Sequence, residues 1–453
     1  MSGTLSAELA DWIHGFKYED APQDVRVAAR KCLVNSLGTA LGAFELRDVQ
    51  LALSVVRDEG ISGQITVLAD GSRVPAGAAL LVNGVMFNVL GQEETHLVSA
   101  THPAETTIPA ALGVAEARHR TGRELLEAII VGTEVTVQVA NMALTPSVKY
   151  ESCEAPAVYG TIGATAAAAK LAGLGEEQIG HALGLAANMA AGLAECVRVG
   201  TSEYHFSVGN ASPHAYLAMT LAAQGAKAAV TTFEGDAGFY HLFAGVSADR
   251  LRAHDVASDV RERLGGDWGL LDFIYKPYPV HFFNQPFADG AAWLRERHEF
   301  ELADIEEIRL LISPLAAASG GPNVGPFDSR ESVLGSTAFC VASMLARGSL
   351  GLAETQDYAG PDIAELIAKT SVENGEGLTT ARIELQTSQG TFSFDAERDG
   401  RDYRLDLDDV VAIARAAAAN TFTAAQVDQM IGEVLAVEEC GDVAELVRVL
   451  VRS

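Results

Sequence analysis

Cysteine is scarce, with five in 453 residues (Cys32, Cys153, Cys196, Cys340 and Cys440), and no pair has zinc-knuckle or redox spacing. Scattered and odd in number, they predict free thiols in a reducing cytoplasm rather than a disulfide framework. No stretch approaches the ~20 uninterrupted apolar residues of a membrane-spanning helix, and the opening MSGTLSAELADWIHGFKYED carries charges too early for a secretory signal. Positive charge is also short: 32 Lys and Arg face 60 Asp and Glu, a net charge of −28. That balance argues against nucleic acid and anionic membranes as partners and favours solubility. It leaves room for an anionic substrate held in a local basic pocket. No P-loop, strand-associated GxGxxG or His-Glu-x-x-His is present, nor a serine nucleophile elbow, so nothing reads as a nucleotide or metal site.

What is present suits buried cores: 48% hydrophobic residues and 20% charged. The length predicts two domains. From residue 5 to about 265 the apolar pattern is helical. Val25, Ala28, Ala29, Cys32 and Leu33 share one face, and Thr121-Gly-Arg-Glu124 has capping-box form. That helix is expected to run through Val135–Ala140 despite strand-like alternation, because no turn signal interrupts it. Helices are expected over Thr161–Leu174 and Glu176–Leu193, joined at Gly175, with Gly160-Thr-Ile-Gly163 read as a tight helix start. Beyond residue 300, Ile308–Ile312, Ala381–Leu385 and Thr391–Phe394 alternate as strands, the last two forming a hairpin. Helical segments lie near 284–298 and 331–347, and capping boxes stand at Thr423…Gln426 and Asp442…Glu445. The expected architecture is mainly α: a large all-helical domain (1–267), an inserted smaller α+β lid domain (268–400), and C-terminal helices (401–453) packing back on the first.

Chemistry-bearing residues gather in three stretches. Leu90–Ala104 holds Glu93, Glu94, Thr95 and His102, the last kept extended by Pro103. Glu203–Asn210 holds Tyr204 and His205, and Tyr275–Asn284 holds Lys276, Tyr278 and His281. Imidazoles beside carboxylates offer proton transfer near neutral pH.

These stretches resemble the MmgE/PrpD family, which includes 2-methylcitrate dehydratases, cis-aconitate decarboxylases and iminodisuccinate epimerases. The resemblance also runs through Asn83-Gly84, Thr101-His102-Pro103, Pro109-Ala-Ala-Leu112, Gly160-Thr-Ile-Gly163, Phe233-Glu-Gly-Asp-Ala-Gly-Phe239 and Lys276-Pro-Tyr-Pro279. It implies a helical large domain, an α/β lid, no cofactor, a homodimer, and a small carboxylate as substrate. Departures are specific. The family's Asp-Phe-Asp-Asp-Thr is Gly91-Gln92-Glu93-Glu94-Thr95 here. Ser152-Cys153-Glu154 puts an acid where the family has a histidine, and Tyr204-His205 replaces Lys-Arg. Asn284-Gln285 replaces Thr-His, and Phe339 replaces a tyrosine.

The resemblance implies a cofactor-independent lyase or isomerase that removes a proton beside a carboxylate. His102 would be the base or acid, and Lys276 and His281 would hold the carboxylate. Thr95 would orient the substrate, and Tyr204 or His205 would be the second proton-transfer group. Glu154, Glu93 and Glu94 would line the binding site. With fewer cations than the family pattern, the substrate is expected to carry fewer carboxylates than citrate-type compounds. Two other readings stay open: recruitment to isomerisation or cyclisation of a less charged metabolite, and a non-catalytic binding or scaffold role.

Overall fold

The computed structural model describes residues 3–141, 153–246, 256–377 and 379–452. The chain divides into two compact units. The first comprises Met1–Leu193, His205–Tyr275 and Arg404–Ser453; the second comprises Ala194–Tyr204 and Lys276–Tyr403. No described helix is long and apolar enough to cross a membrane.

The first unit is built of helices: α1 (Leu5–Gly15), α2 (Gln23–Gly42), α3 (Arg47–Glu59), α4 (Ala76–Val89), α5 (Pro103–Ala117), α6 (Gly122–Asn141), α7 (Ala155–Ala172) and α8 (Glu176–Met189), with further helices at Ala211–Ala223 and Leu407–Ala418. A two-residue antiparallel ladder, β1 (Ile65–Thr66) with β2 (Arg73–Val74), interrupts them. The capping box that starts α6 forms in both directions: Glu124 accepts from Thr121 N at 2.8 Å and Thr121 Oγ1 from Glu124 N at 3.3 Å. The alternating Val135–Ala140 is helical, and its alternation carries no strand signal because residues 128–140 are buried on every side.

α7 is the central helix, packed against α5, α6, α8 and Ala211–Ala223. It starts at Ala155, six residues before the expected Thr161, and ends at left-handed Gly173 (φ 68°) rather than at Gly175. Gly160 and Gly163 therefore lie inside the helix, not at its start. A Cβ on Gly160 would sit 2.5 Å from Thr106 Oγ1 of α5, and one on Gly163 would collide with Thr136 Oγ1 and the Gly132 carbonyl of α6. The two glycines let three helices approach at backbone distance. Gly163→Ala is expected to cost about 1–3 kcal/mol by overpacking, outweighing the roughly 1 kcal/mol that alanine gains in a helix. Gly432→Ala, with nothing within 4 Å of the new Cβ, should instead be neutral or stabilising. Urea melts of both variants check this.

α2 carries a second such contact. A Cβ on Gly38 would meet Ala414, and one on Gly42 the carbonyl of Ala417, both from Leu407–Ala418. The C-terminal helices thus pack on the first unit. Thr423 and Gln426 form the expected capping box, whereas Asp442 caps through Ala444 N alone.

The second unit is a four-stranded sheet in the order β4-β3-β5-β6, from β3 (Ile305–Ile312), β4 (Thr370–Asn374), β5 (Ala381–Thr387) and β6 (Gly390–Asp395). β3 runs parallel to β4, pairing Ile308 with Thr370, and antiparallel to β5. β5 and β6 form the expected hairpin. β5 alternates strictly between buried and exposed, so one face packs on a core containing Phe287, Leu294, Phe339 and Leu345 from helices Gln285–Arg297 and Thr337–Arg347. The single helix expected over 331–347 breaks at Gly335, and Ser336 recaps its second half by accepting from Phe339 N at 3.1 Å.

Candidate active site

In the first unit α4 ends at Val89, and left-handed Gly91 (φ 79°) turns the chain into the loop carrying Glu93 to His102. The loop is tied at three places. Asn35 Nδ2 donates to Gln92 O at 3.2 Å. Thr95 and Ile274 exchange backbone hydrogen bonds at 3.0 Å, as do His96 and Thr101 at 3.0 and 3.4 Å. Ser99 Oγ lies 2.7 Å from His96 Nδ1 and 2.6 Å from Thr101 Oγ1, so His96 serves the loop itself.

His102 occupies the N-cap position of α5 in a non-helical conformation, with Pro103 as the first helical residue. Its Nδ1 is 2.7 Å from Glu94 O and 3.1 Å from Thr95 Oγ1. A carbonyl oxygen only accepts, so Nδ1 carries the hydrogen and neutral His102 keeps its lone pair on Nε2. Nε2 lies 3.8 Å from Glu93 Oε1, which would stabilise an imidazolium formed there. His102 supplies no side-chain cap to α5. Glu94 does so instead, accepting from Ala104 N at 2.6 Å, a carboxylate at a helix N-terminus. One of its oxygens is thereby committed to structure.

Behind this loop lies a buried acid group. Glu105, in the first turn of α5, accepts from Asn88 Nδ2 at 2.8 Å, and Asn88 Oδ1 accepts from His205 Nδ1 at 2.5 Å. Burial, then the charge of Glu93, with Glu94 and Glu154 adding, pushes the Glu105 carboxyl well above the usual range against the Asn88 hydrogen bond. Glu154, at the N-cap position of α7, accepts from Ser207 Oγ at 2.5 Å. Its burial raises the carboxyl to about 8 despite bonds from Ser207 and the Ala157 amide, so it is mostly protonated at pH 7. The fold thus brings Glu93, Glu94, Thr95, His102, Glu154 and His205 together within the first unit. Ser152, quoted beside Glu154, lies outside the described residues.

Lys276, His281 and Tyr204 belong to the second unit. Lys276 is buried, and the His281 amide donates to Leu334 O at 3.0 Å while its ring meets Phe283 edge-on. The Asn284-Gln285 pair holds the segment that carries them. Gln285 accepts from Tyr278 N and donates to Tyr278 O and Val280 O, each at 3.0–3.1 Å. Asn284 donates to Leu334 O at 3.1 Å and accepts from Thr337 Oγ1 at 2.8 Å. Tyr278, Arg401 and Tyr403 converge on Asp289.

Sequence reasoning missed Asn88, Glu105 and Ser207. Two carried a signal: Asn88 is an amide within the apolar run of α4, and Glu105 an acid three residues after His102 in an otherwise uncharged α5 start.

Residues 7–251 match the model of the MmgE/PrpD N-terminal domain, and residues 278–428 that of the MmgE/PrpD C-terminal domain. The cis-aconitate decarboxylase of Homo sapiens is 26% identical over 388 residues, covering 82% of this chain and 77% of its own. That of Mus musculus is 26% identical over 389 residues, covering 83% and 76%. The cis-aconitate decarboxylase of Aspergillus terreus is 22% identical over 415 residues, covering 85% and 83%.

Proposed function

Because the chain belongs to the MmgE/PrpD family, we propose that it is a lyase or isomerase that removes a proton beside a carboxylate of a small organic acid. The observation that carries this reading is the His102 ring, held at Nδ1 by Glu94 O with Nε2 on the side of Glu93. His102 Nε2 takes the proton, and Glu93 stabilises the resulting imidazolium. Glu154, neutral at pH 7, donates a hydrogen bond or a proton to the group that departs or is reprotonated. Carboxylate binding by Lys276 and His281 and proton transfer by Tyr204 or His205 rest on the family resemblance.

The chemistry is tested by incubating the protein in deuterated buffer with a panel of mono-, di- and tricarboxylic acids and reading mass spectra. Deuterium uptake, loss of water or loss of carbon dioxide supports it; silence across the panel overturns it.

The second reading, recruitment to a less charged metabolite, is favoured by four glutamates buried in one unit, Glu93, Glu94, Glu105 and Glu154. A further carboxylate brought near an ionised member of this group meets like-charge repulsion in a medium that screens poorly, and the protonated Glu154 offers it no cation to pair with. cis-Aconitate and 2-methylcitrate are therefore expected to bind at least about tenfold more weakly than the best monocarboxylate, as measured by calorimetry. Tight tricarboxylate binding would remove this reading.

A further inference from the structure

We infer that Glu105, acting through Asn88, is a positioning residue that fixes which nitrogen of His205 carries its hydrogen. The inference rests on reading His205 as a proton-transfer group, and its first readout needs no turnover.

The Asn88 side chain has one donating and one accepting end, and both are used. Nδ2 faces Glu105 Oε2 at 2.8 Å, and Oδ1 faces His205 Nδ1 at 2.5 Å. Glu105 Oε2 accepts in either charge state, as a carboxylate or as the carbonyl oxygen of an acid protonated on Oε1. Glu105 Oε1 has no hydrogen-bond partner among the described residues, so that hydrogen has a place to reside. With Nδ2 directed at Glu105, only Oδ1 is presented to His205, and an amide oxygen cannot donate. Nδ1 must therefore carry the hydrogen, and the neutral ring keeps its lone pair on Nε2. Two elements build this line: Asn88 near the end of α4 and Glu105 in the first turn of α5. Glu93, Glu94 and Glu154 all act on Glu105, so the His205 line and the His102 loop converge on one carboxyl. His102 is held in the same sense by a different acceptor, the Glu94 carbonyl. Without an acceptor at position 105 the Asn88 amide can turn over, present Nδ2 to the ring, and move the hydrogen to Nε2. The partner of a proton-transfer histidine sets its tautomer in this way.

The test uses the full chain with histidine labelled at the ring nitrogens, read by nitrogen-15 NMR at about pH 8.5, above the ordinary imidazole titration. His205→Gln identifies the His205 signals by their loss. Wild type and Glu105→Gln, whose amide oxygen can still accept from Asn88, should show hydrogen on Nδ1 of His205. Glu105→Leu should shift that population toward Nε2 and lower kcat about tenfold or more, with KM within about twofold. A folded Glu105→Leu with the wild-type tautomer overturns the inference, as does a wild type with its hydrogen on Nε2. If Glu105→Leu fails to fold, Glu105→Ala is read in the same way, because it too removes the acceptor that faces Asn88 Nδ2. A tautomer response without turnover on any acid leaves the Glu105 role standing and removes the proposed reaction; turnover without the tautomer response removes the Glu105 role alone.

Discussion

His102→Asn should leave the protein folded and lower turnover, or deuterium exchange at the reacting carbon, by about 10²–10⁴-fold. Asparagine is the informative replacement because its Nδ2 falls where the imidazole Nδ1 lies. It can still donate to Glu94 O, 2.7 Å from that nitrogen in the wild type. Alanine would leave a buried carbonyl without its donor, a cost of about 1–3 kcal/mol that would confuse activity with stability. What asparagine removes is Nε2, the atom beside Glu93 Oε1. Exchange followed by mass spectrometry, with a urea melt of the same sample, separates the two effects. Full activity in a folded His102→Asn protein would exclude His102 as the base.

Stability should fall as pH rises from about 5 to 8, the reverse of the usual behaviour of ion-paired carboxylates. Burial raises Glu154 to about 8 and Glu134 to about 7, from an ordinary 4.5. Both hold their protons more tightly folded than unfolded, so between 4.5 and the folded value the native state binds the extra proton. Their stabilisation is complete below pH 4.5. It is lost as pH climbs, ceasing to change above about 7 for Glu134 and about 8 for Glu154. In the shared window each contributes a slope of about 1.4 kcal/mol per pH unit. Glutamine removes the titration while keeping the accepting oxygen that Ser207 uses at Glu154 and Leu270 N uses at Glu134. Urea melts at several pH values should therefore show a shallower slope in Glu154→Gln and in Glu134→Gln, and the shallowest in the double variant. An unchanged slope in Glu154→Gln would show that this carboxyl ionises as freely folded as unfolded.

Local rules were readable in the sequence and relations between elements were not. The reciprocal Thr121–Glu124 cap, the β5–β6 hairpin and the non-helical His102 before Pro103 each depend on a few neighbouring residues. β4 escaped notice because Thr370-Ser-Val-Glu-Asn374 is a polar edge strand that buries little, and its partner β3 lies some sixty residues earlier. Gly160 and Gly163 read as a helix start because glycine in sequence signals a turn; only the contacts with Thr106 and Gly132 reveal them as points of helix contact. The same limit applied to the site. His102 and Thr95 stood out by residue type and spacing, and Glu154 through the family resemblance. That Glu94 caps a helix with one oxygen, and that Asn88 joins His205 to Glu105, depends on which helices meet.

The contact of α2 with the C-terminal helices has a consequence for how the protein is made. Gly38 and Gly42 have no side chains of their own to cover that face, which waits for Ala414 and Ala417. At about 5–20 residues per second on the ribosome, that wait is roughly 20–75 seconds. Towards its end a nascent chain with most of the first unit already synthesised still leaves that helix face uncovered. A nascent-chain binder such as a chaperone is best placed to hold that face, and release from the ribosome just before Leu407 would leave it bare.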